Sequence, residues 1–206
     1  MKIYLIRHAE SKTNEKHIIT GSKDVALSKK GKEQAENLGK YFKNKNISLI
    51  YTSKLKRSKN TGEIITKYLE KKPKIIEMKD LNERKYGLFE GKRWDVISAF
   101  YKEHLIKTEG RLLKVIIKPK GGELWRELIT RVVGAINDII EKTDKRKSII
   151  IIGHLDVNRV ILRYMGDMNE DEMYDIWQNN ACINIVEYKK EKFDIQIVNY
   201  ILSENR

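Results

Sequence analysis

The chain predicts an α/β fold of three layers, a mainly parallel sheet flanked by helices. Three observations predict it. The apolar runs Ile3-Tyr4-Leu5-Ile6 and Ile149-Ile150-Ile151-Ile152 read as buried strands. Between such runs lie segments with apolar residues at helical spacing, such as Leu128, Val132, Ala135 and Ile139. Each of the two runs leads into a histidine, through Arg7-His8 and Gly153-His154. That places polar chemistry at the carboxyl ends of strands, the edge where open α/β sheets bind ligands.

The elements follow in order. Strand 2–7 leads into a polar loop, and Ser28 then caps a helix over 29–45 with Ala35, Leu38 and Phe42 on one face. Strand 49–52 and helix 55–70 come next, and Pro73 opens a short strand through Ile75 and Ile76. Helices are expected over 93–106 and 124–142, then strand 148–152 and helices over 157–165 and 170–177. Strands 183–188 and 194–200 close the chain, near enough to form a hairpin with one of them antiparallel at an edge.

Composition narrows the function. A length of 206 residues suits one α/β domain over 1–206, and neither proline, Pro73 nor Pro119, marks a linker. No run is long enough for a transmembrane helix, and Met1-Lys2-Ile3 leads straight into a strand rather than a signal peptide. The single cysteine, Cys182, excludes an internal disulfide and points to a cytoplasmic location. A net charge of +13 raises the question of nucleic acid. However, Lys29, Lys30, Lys32, Lys40, Lys43 and Lys45 read as a solvated helix face, and the aromatics form no stacking platform. Specific nucleic-acid binding is therefore not expected, although a basic surface concentrates anionic phosphoesters. The four histidines and one cysteine show no metal-ligand spacing, so no metal site is expected, and His17 and His104 read as surface residues. No oligomeric state can be assigned.

Beyond its first strand the chain reads Arg7-His8-Ala9-Glu10-Ser11-x-x-Asn14. This resembles the opening pattern R-H-G-E-[ST]-x-x-N of the histidine phosphatase superfamily, the phosphoglycerate mutase-like family, with Ala9 in place of glycine. Further motifs recur in the family's order. They are Gly21-x-x-Asp24-x-x-Leu27-Ser28-x-x-Gly31-x-x-Gln34-Ala35, Thr52-Ser53-x-Leu55-x-Arg57-Ser58, and Leu81-x-Glu83-x-x-x-Gly87-x-x-Glu90-Gly91. Gly121-Gly122-Glu123 is similar to the family's G-G-E-S turn, with Leu124 for serine, and Gly153-His154 falls at its second histidine. Leu155-Asp156 replaces the small glycine pair that usually follows.

The resemblance implies a phosphate pocket made by Arg7, Asn14, Arg57 and His154, with His8 as nucleophile and Glu83 as general acid. The chemistry of these residue types agrees. Two guanidinium groups hold phosphoryl oxygens in fork geometry, Asn14 donates an amide hydrogen, and a protonated His154 adds a charge-assisted bond. An imidazole attacks phosphorus through a ring nitrogen, and neighbouring cations keep it neutral for that task. A protonated Glu83 supplies the leaving oxygen and then takes a proton from water, and the arginines neutralise charge without a metal. Thr20, Gly21, Arg84 and Tyr86 are further candidates for substrate contact.

Phosphatases and mutases of the family share this pocket. The segment 92–120 is a small cap over the site, shorter than the insertion of the cofactor-dependent mutases, which favours hydrolysis. Against that, Glu83-Arg84-Lys85-Tyr86-Gly87 resembles the mutases' E-R-x-Y-G, where Arg84 and Tyr86 would grip a substrate carboxylate. The expected function is a metal-independent phosphomonoesterase acting on a small phosphorylated metabolite such as a sugar phosphate or α-ribazole phosphate, without a cofactor. The alternatives are a phosphoglycerate mutase primed by 2,3-bisphosphoglycerate and a non-catalytic phosphate or phosphoprotein binder.

Overall fold

A computed structural model of the chain describes residues 1–96 and 120–202. Most of the helix expected over 93–106, His104 and nearly all of the 92–120 cap therefore lie outside the described residues. The strands are β1 (Lys2–Arg7), β2 (Ile47–Ser53), β3 (Lys74–Met78), β4 (Ser148–Gly153), β5 (Ile183–Lys189) and β6 (Lys192–Tyr200). The helices are α1 (Lys29–Phe42), α2 (Lys56–Tyr68), α3 (Trp125–Lys142), α4 (Leu155–Gly166) and α5 (Glu170–Asp175). The strands form one six-stranded sheet in the order β3-β2-β4-β1-β5-β6.

Strand side chains alternate between two faces, so an apolar run with no polar alternation must be covered on both. That is what the helices do here. Ile3, Leu5, Ile149 and Ile151 pack with Leu128, Val132 and Ile136 of α3 and Val157, Val160 and Ile161 of α4. Tyr4, Ile6, Ile150 and Ile152 face the other way, onto Leu38 and Phe42 of α1 and Ile65 of α2. The three layers of the sequence reading are thus present, with isoleucine strands filling the middle one.

Several boundaries differ from expectation. Helix α1 stops at Phe42 rather than at residue 45, because Lys43 and Lys45 turn the chain with bonds to Lys40 O and Phe42 O (3.3 and 2.8 Å). Lys29, Lys30, Lys32, Lys40 and Lys43 are exposed as a solvated face, while Lys45 folds over the Tyr41 ring (4.2 Å). Helix α5 ends at Asp175, because the Ile176 carbonyl is taken by Arg159 Nε (2.9 Å). The hairpin is present, but the strand that runs against the others is β5, inside the sheet. It is antiparallel to both β1 and β6, so the edge strand β6 runs with the parallel set. His17 is exposed at a loop tip, as expected. Among the described residues no helix is long and apolar enough to cross a membrane.

Candidate active site

The register Arg7↔Gly153 sets the carboxyl ends of β1 and β4 side by side, and His8 N donates to Gly153 O (3.1 Å). The His8 and His154 rings consequently face each other with centroids 5.0 Å apart. The loop after His8 is pinned by the start of α1. Ser28 caps that helix by accepting from Gly31 N, while its own N–H and hydroxyl donate to Glu10 O and Glu10 Oε1 (2.9 and 2.7 Å). A Cβ on Gly31 would lie 1.9 Å from Glu10 O, so only glycine allows the approach. Helix α2 has no side-chain cap of its own. Asp24 Oδ1 takes the Lys56 N–H instead (2.7 Å), at the helix start that carries Arg57 into the cleft lining.

His8 is buried, and its two ring nitrogens meet opposite partners. Nδ1 faces the Ala9 carbonyl (2.7 Å), which can only accept, and Arg57 Nε donates to Nε2 (3.2 Å). Both contacts demand the same tautomer, with the proton on Nδ1 and the lone pair on Nε2. Burial, and then the charges of Arg57 and Arg7, hold the imidazole well below its ordinary pKa, so it is neutral.

Arg57 is 1 % exposed and carries no free fork. Its Nη1 and Nη2 donate to the carbonyls of Lys23 and Gly21 (2.8 and 2.7 Å). Burial lowers its pKa to about 10, which leaves it charged at neutral pH. Arg7 is the more available of the two: Nη1 donates to Gln178 O (2.5 Å), while Nε has no protein acceptor. Asn14 accepts through Oδ1 from Ser11 N and Ser11 Oγ (3.0 and 2.7 Å), which turns its amide nitrogen away from these donors.

His154 differs from expectation. It is fully buried, and its Nε2 lies 2.8 Å from Ser53 Oγ, while Nδ1 has no partner. Burial and the Arg57 charge push its pKa well below the usual histidine range, so the ring is neutral rather than protonated. It stands behind the cleft wall, whose lining includes Arg7, His8, Asn14, Arg57 and Glu83.

Thr20, Gly21 and Tyr86 also line the cleft, with the apolar Ile18, Ile19 and Leu155. Thr20 bonds to Thr13 through the two hydroxyls. Gly21 sits at φ +53°, and a Cβ there would strike Glu90 Oε1, the oxygen that takes Ser22 N and Tyr86 N (2.8 and 3.1 Å). Arg84 is absent from the lining. It is 4 % exposed, its guanidinium lies over the Trp125 ring (4.5 Å), and Nε donates to Glu123 O (3.1 Å). The guanidinium also lies 5.5 Å from the ring of Tyr86, which does line the cleft.

Glu83 is buried, with Oε1 accepting from Arg84 N (2.9 Å). Burial, and then the neighbouring Asp156 charge, raise its pKa to about 7 against the pull of Arg57 and Arg7. A carboxyl raised in this way can carry a proton near neutral pH. Asp156 is one of the residues whose role the sequence did not reveal. It is 1 % exposed and accepts from Tyr86 Oη (2.5 Å) and Arg159 Nη1 (3.3 Å). The loop that carries Glu83 is braced from α3. Arg131 binds Glu123 in bidentate fashion (2.6 and 2.9 Å) and also takes the carbonyls of Asp80 and Asn82 (2.7 and 2.8 Å). Among the described residues no group of three or more His, Cys, Asp or Glu could hold a metal ion.

A neutral imidazole between two guanidinium groups, with a proton-holding carboxyl across the cleft, defines a protein for phosphoryl chemistry on a phosphoglycerate mutase-like fold. Residues 3–201 match the histidine phosphatase superfamily (branch 1), and the chain belongs to that family. It is 28% identical over 197 residues to the uncharacterized phosphatase PhoE of Bacillus subtilis (strain 168), covering 96% of this chain and 93% of that protein. It is 27% identical over 201 residues to a 2,3-bisphosphoglycerate-dependent phosphoglycerate mutase of Cytophaga hutchinsonii, covering 97% and 92%. In fold it is similar to the α-ribazole phosphatase of Shigella flexneri, with a TM-score of 0.82 at 21% identity and all of both chains covered. Its relatives thus include both phosphatases and mutases.

Proposed function

We propose that the chain is a metal-independent phosphomonoesterase that passes the phosphoryl group of a small phosphorylated metabolite through His8. The observation that carries this reading is the forced tautomer of His8, with its Nε2 lone pair held at the cleft between Arg57 and Arg7. When the ester enters, Arg57 Nε yields Nε2 to phosphorus, and Arg7 and the Asn14 amide take the equatorial oxygens. The N–P bond forms as the ester P–O bond breaks, and Glu83 gives its proton to the leaving oxygen. Water then loses a proton to Glu83 and attacks phosphorus. The N–P bond breaks, and inorganic phosphate departs. The two arginines supply the charge neutralisation, so no step calls for a metal or an organic cofactor.

The placement of Arg84 favours hydrolysis over the mutase reading. A mutase acting on a phosphoglycerate needs a cation for the substrate carboxylate, and this guanidinium is stacked on Trp125. The test is p-nitrophenyl phosphate hydrolysis in excess EDTA by wild type and His8→Ala. Turnover that survives EDTA and falls by at least about 10⁴-fold in the variant is expected. Equal activity in both proteins would sink the assignment of His8. Conversion of 3-phosphoglycerate to 2-phosphoglycerate with bisphosphoglycerate primer, faster than release of phosphate, would establish the mutase instead.

A further inference from the structure

The mechanism leaves one buried polar cluster unused, the turn before β5. Gln178 and Asn184 pair their amides reciprocally, with Gln178 Nε2 on Asn184 Oδ1 and Asn184 Nδ2 on Gln178 Oε1, both at 2.8 Å. Both residues are fully buried, and Asn184 Nδ2 also reaches Leu5 O on β1 (2.9 Å). Buried amides satisfied on every side hold one geometry, because any displacement strands a polar group. The turn fixed in this way wraps the Arg7-His8 peptide. Gln178 O takes the Arg7 guanidinium, and Ala181 N donates to Arg7 O (3.1 Å). Asn180 Nδ2 donates to His8 O (3.1 Å) and to Asn14 Oδ1 (3.3 Å).

The contact with Asn14 completes the set of donors that orients its amide. Three donors, Ser11 N, Ser11 Oγ and Asn180 Nδ2, converge on Oδ1, so the amide cannot flip without placing N–H against N–H. Among the described residues no acceptor takes Asn14 Nδ2, and Asn14 lines the cleft beside His8 and Arg7. We propose that Asn180 is a positioning residue of the phosphate pocket, locking the Asn14 amide with its N–H groups turned toward the phosphoryl oxygens. This rests on the reading of the cleft as a phosphate pocket. Asn180 itself touches no reacting atom, and its effect is transmitted through Asn14.

Orthophosphate, the reaction product on that reading, is the probe. Its dissociation constant is measured by calorimetry for wild type, N180A, N14A and N14A/N180A, alongside thermal melts and kinetics on p-nitrophenyl phosphate. N180A and N14A are each expected to weaken orthophosphate about tenfold, the scale of one hydrogen bond to a charged group. The double variant is expected to bind no more weakly than N14A alone, since the two residues act as one unit. In N180A the loss should fall on KM, with kcat within about twofold of wild type. Asn180→Asp, which sets a carboxylate against His8 O and Asn14 Oδ1, should be worse than N180A. Unchanged orthophosphate affinity in N180A and N180D overturns the proposal, as do a loss confined to kcat and a fully additive double variant. A wild-type protein that does not bind orthophosphate overturns the phosphate-pocket reading, and the role of Asn180 with it.

Discussion

The two walls of the cleft are built by different means. On the wall proposed to bind phosphate, His8 and the His154 behind it follow directly from paired strand ends, and the β1–β4 register fixes their separation. On the opposite wall, Glu83 and Tyr86 ride on a loop with only short 3₁₀ turns. Its carbonyls hang from Arg131, and its tyrosine is tied to Asp156. Main-chain ladders place the two histidines, and side-chain contacts place Glu83 and Tyr86. Substitutions elsewhere in the chain should therefore reach Glu83 more readily than His8.

The largest effect on the second wall is expected from Glu83→Gln. Loss of the proton donor should lower kcat about 10²- to 10³-fold on alkyl phosphates and far less on p-nitrophenyl phosphate, whose leaving group needs no proton. The same variant has a signature in stability. The folded-state pKa of about 7 lies above the ordinary carboxyl value of 4.5, so burial of Glu83 is least costly below the unfolded pKa, costs progressively more as pH rises from there towards 7, and adds no further pH dependence above it. Melts from pH 5 to 8 should show Glu83→Gln gaining on wild type up to about pH 7 and running parallel to it above, and curves parallel from pH 5 upward would contradict the raised pKa.

Arg131→Leu should rank next. It removes the brace of the acid loop, leaves Glu123 unpaired and half-buried, and is expected to cost about tenfold in kcat/KM with a lower melting temperature. If activity fell while orthophosphate affinity held, the two walls would be separable. If both fell together, the comparison would fail. Asp156→Asn keeps an acceptor for Tyr86 Oη but removes the charge that raises Glu83. Glu83 then loses its proton at lower pH, so the alkaline limb of the kcat profile should move down by a fraction of a pH unit to one unit. An unmoved limb would show that burial alone sets the acid. The smallest effect belongs to Arg84→Met. This side chain packs between Trp125 and Tyr86 and does not itself line the cleft, so kcat/KM on non-carboxylate esters should change less than about threefold.

Much of this was legible in the chain. Runs of isoleucine declare strands covered on both sides, and the polar residues that end them mark the reactive edge. The match of Ser28, Gly31 and Asp24 to the family pattern also acquires a physical meaning, since each docks a helix onto the site loops. Strand direction was not legible: hydrophobic period says which residues are buried but not which way the chain runs, so β5 was not recognised as the reversed strand. The packing of Arg84 was not legible because a motif records position along the chain, while the ring under its guanidinium lies 41 positions later, at Trp125. Asn180 and Gln178 read as ordinary turn residues. Their partners are His8 and Arg7, 172 and 171 positions away, and no local spacing reveals such pairs.

The reversed direction of β5 has a consequence for tolerance to insertion. In the parallel strands β1, β2 and β4 the reactive edge receives the segment that follows each strand. Because β5 runs the opposite way, it delivers the segment that precedes it, which is how residues 178–182 come to lie against Arg7 and His8. The two ends of this one strand are therefore unequal as sites for grafted sequence. The tight turn at Lys190 and Glu191, both at positive φ, lies at the far end of the sheet, where added residues are remote from the chemistry. An addition between Gln178 and Ile183 would act directly on the pocket.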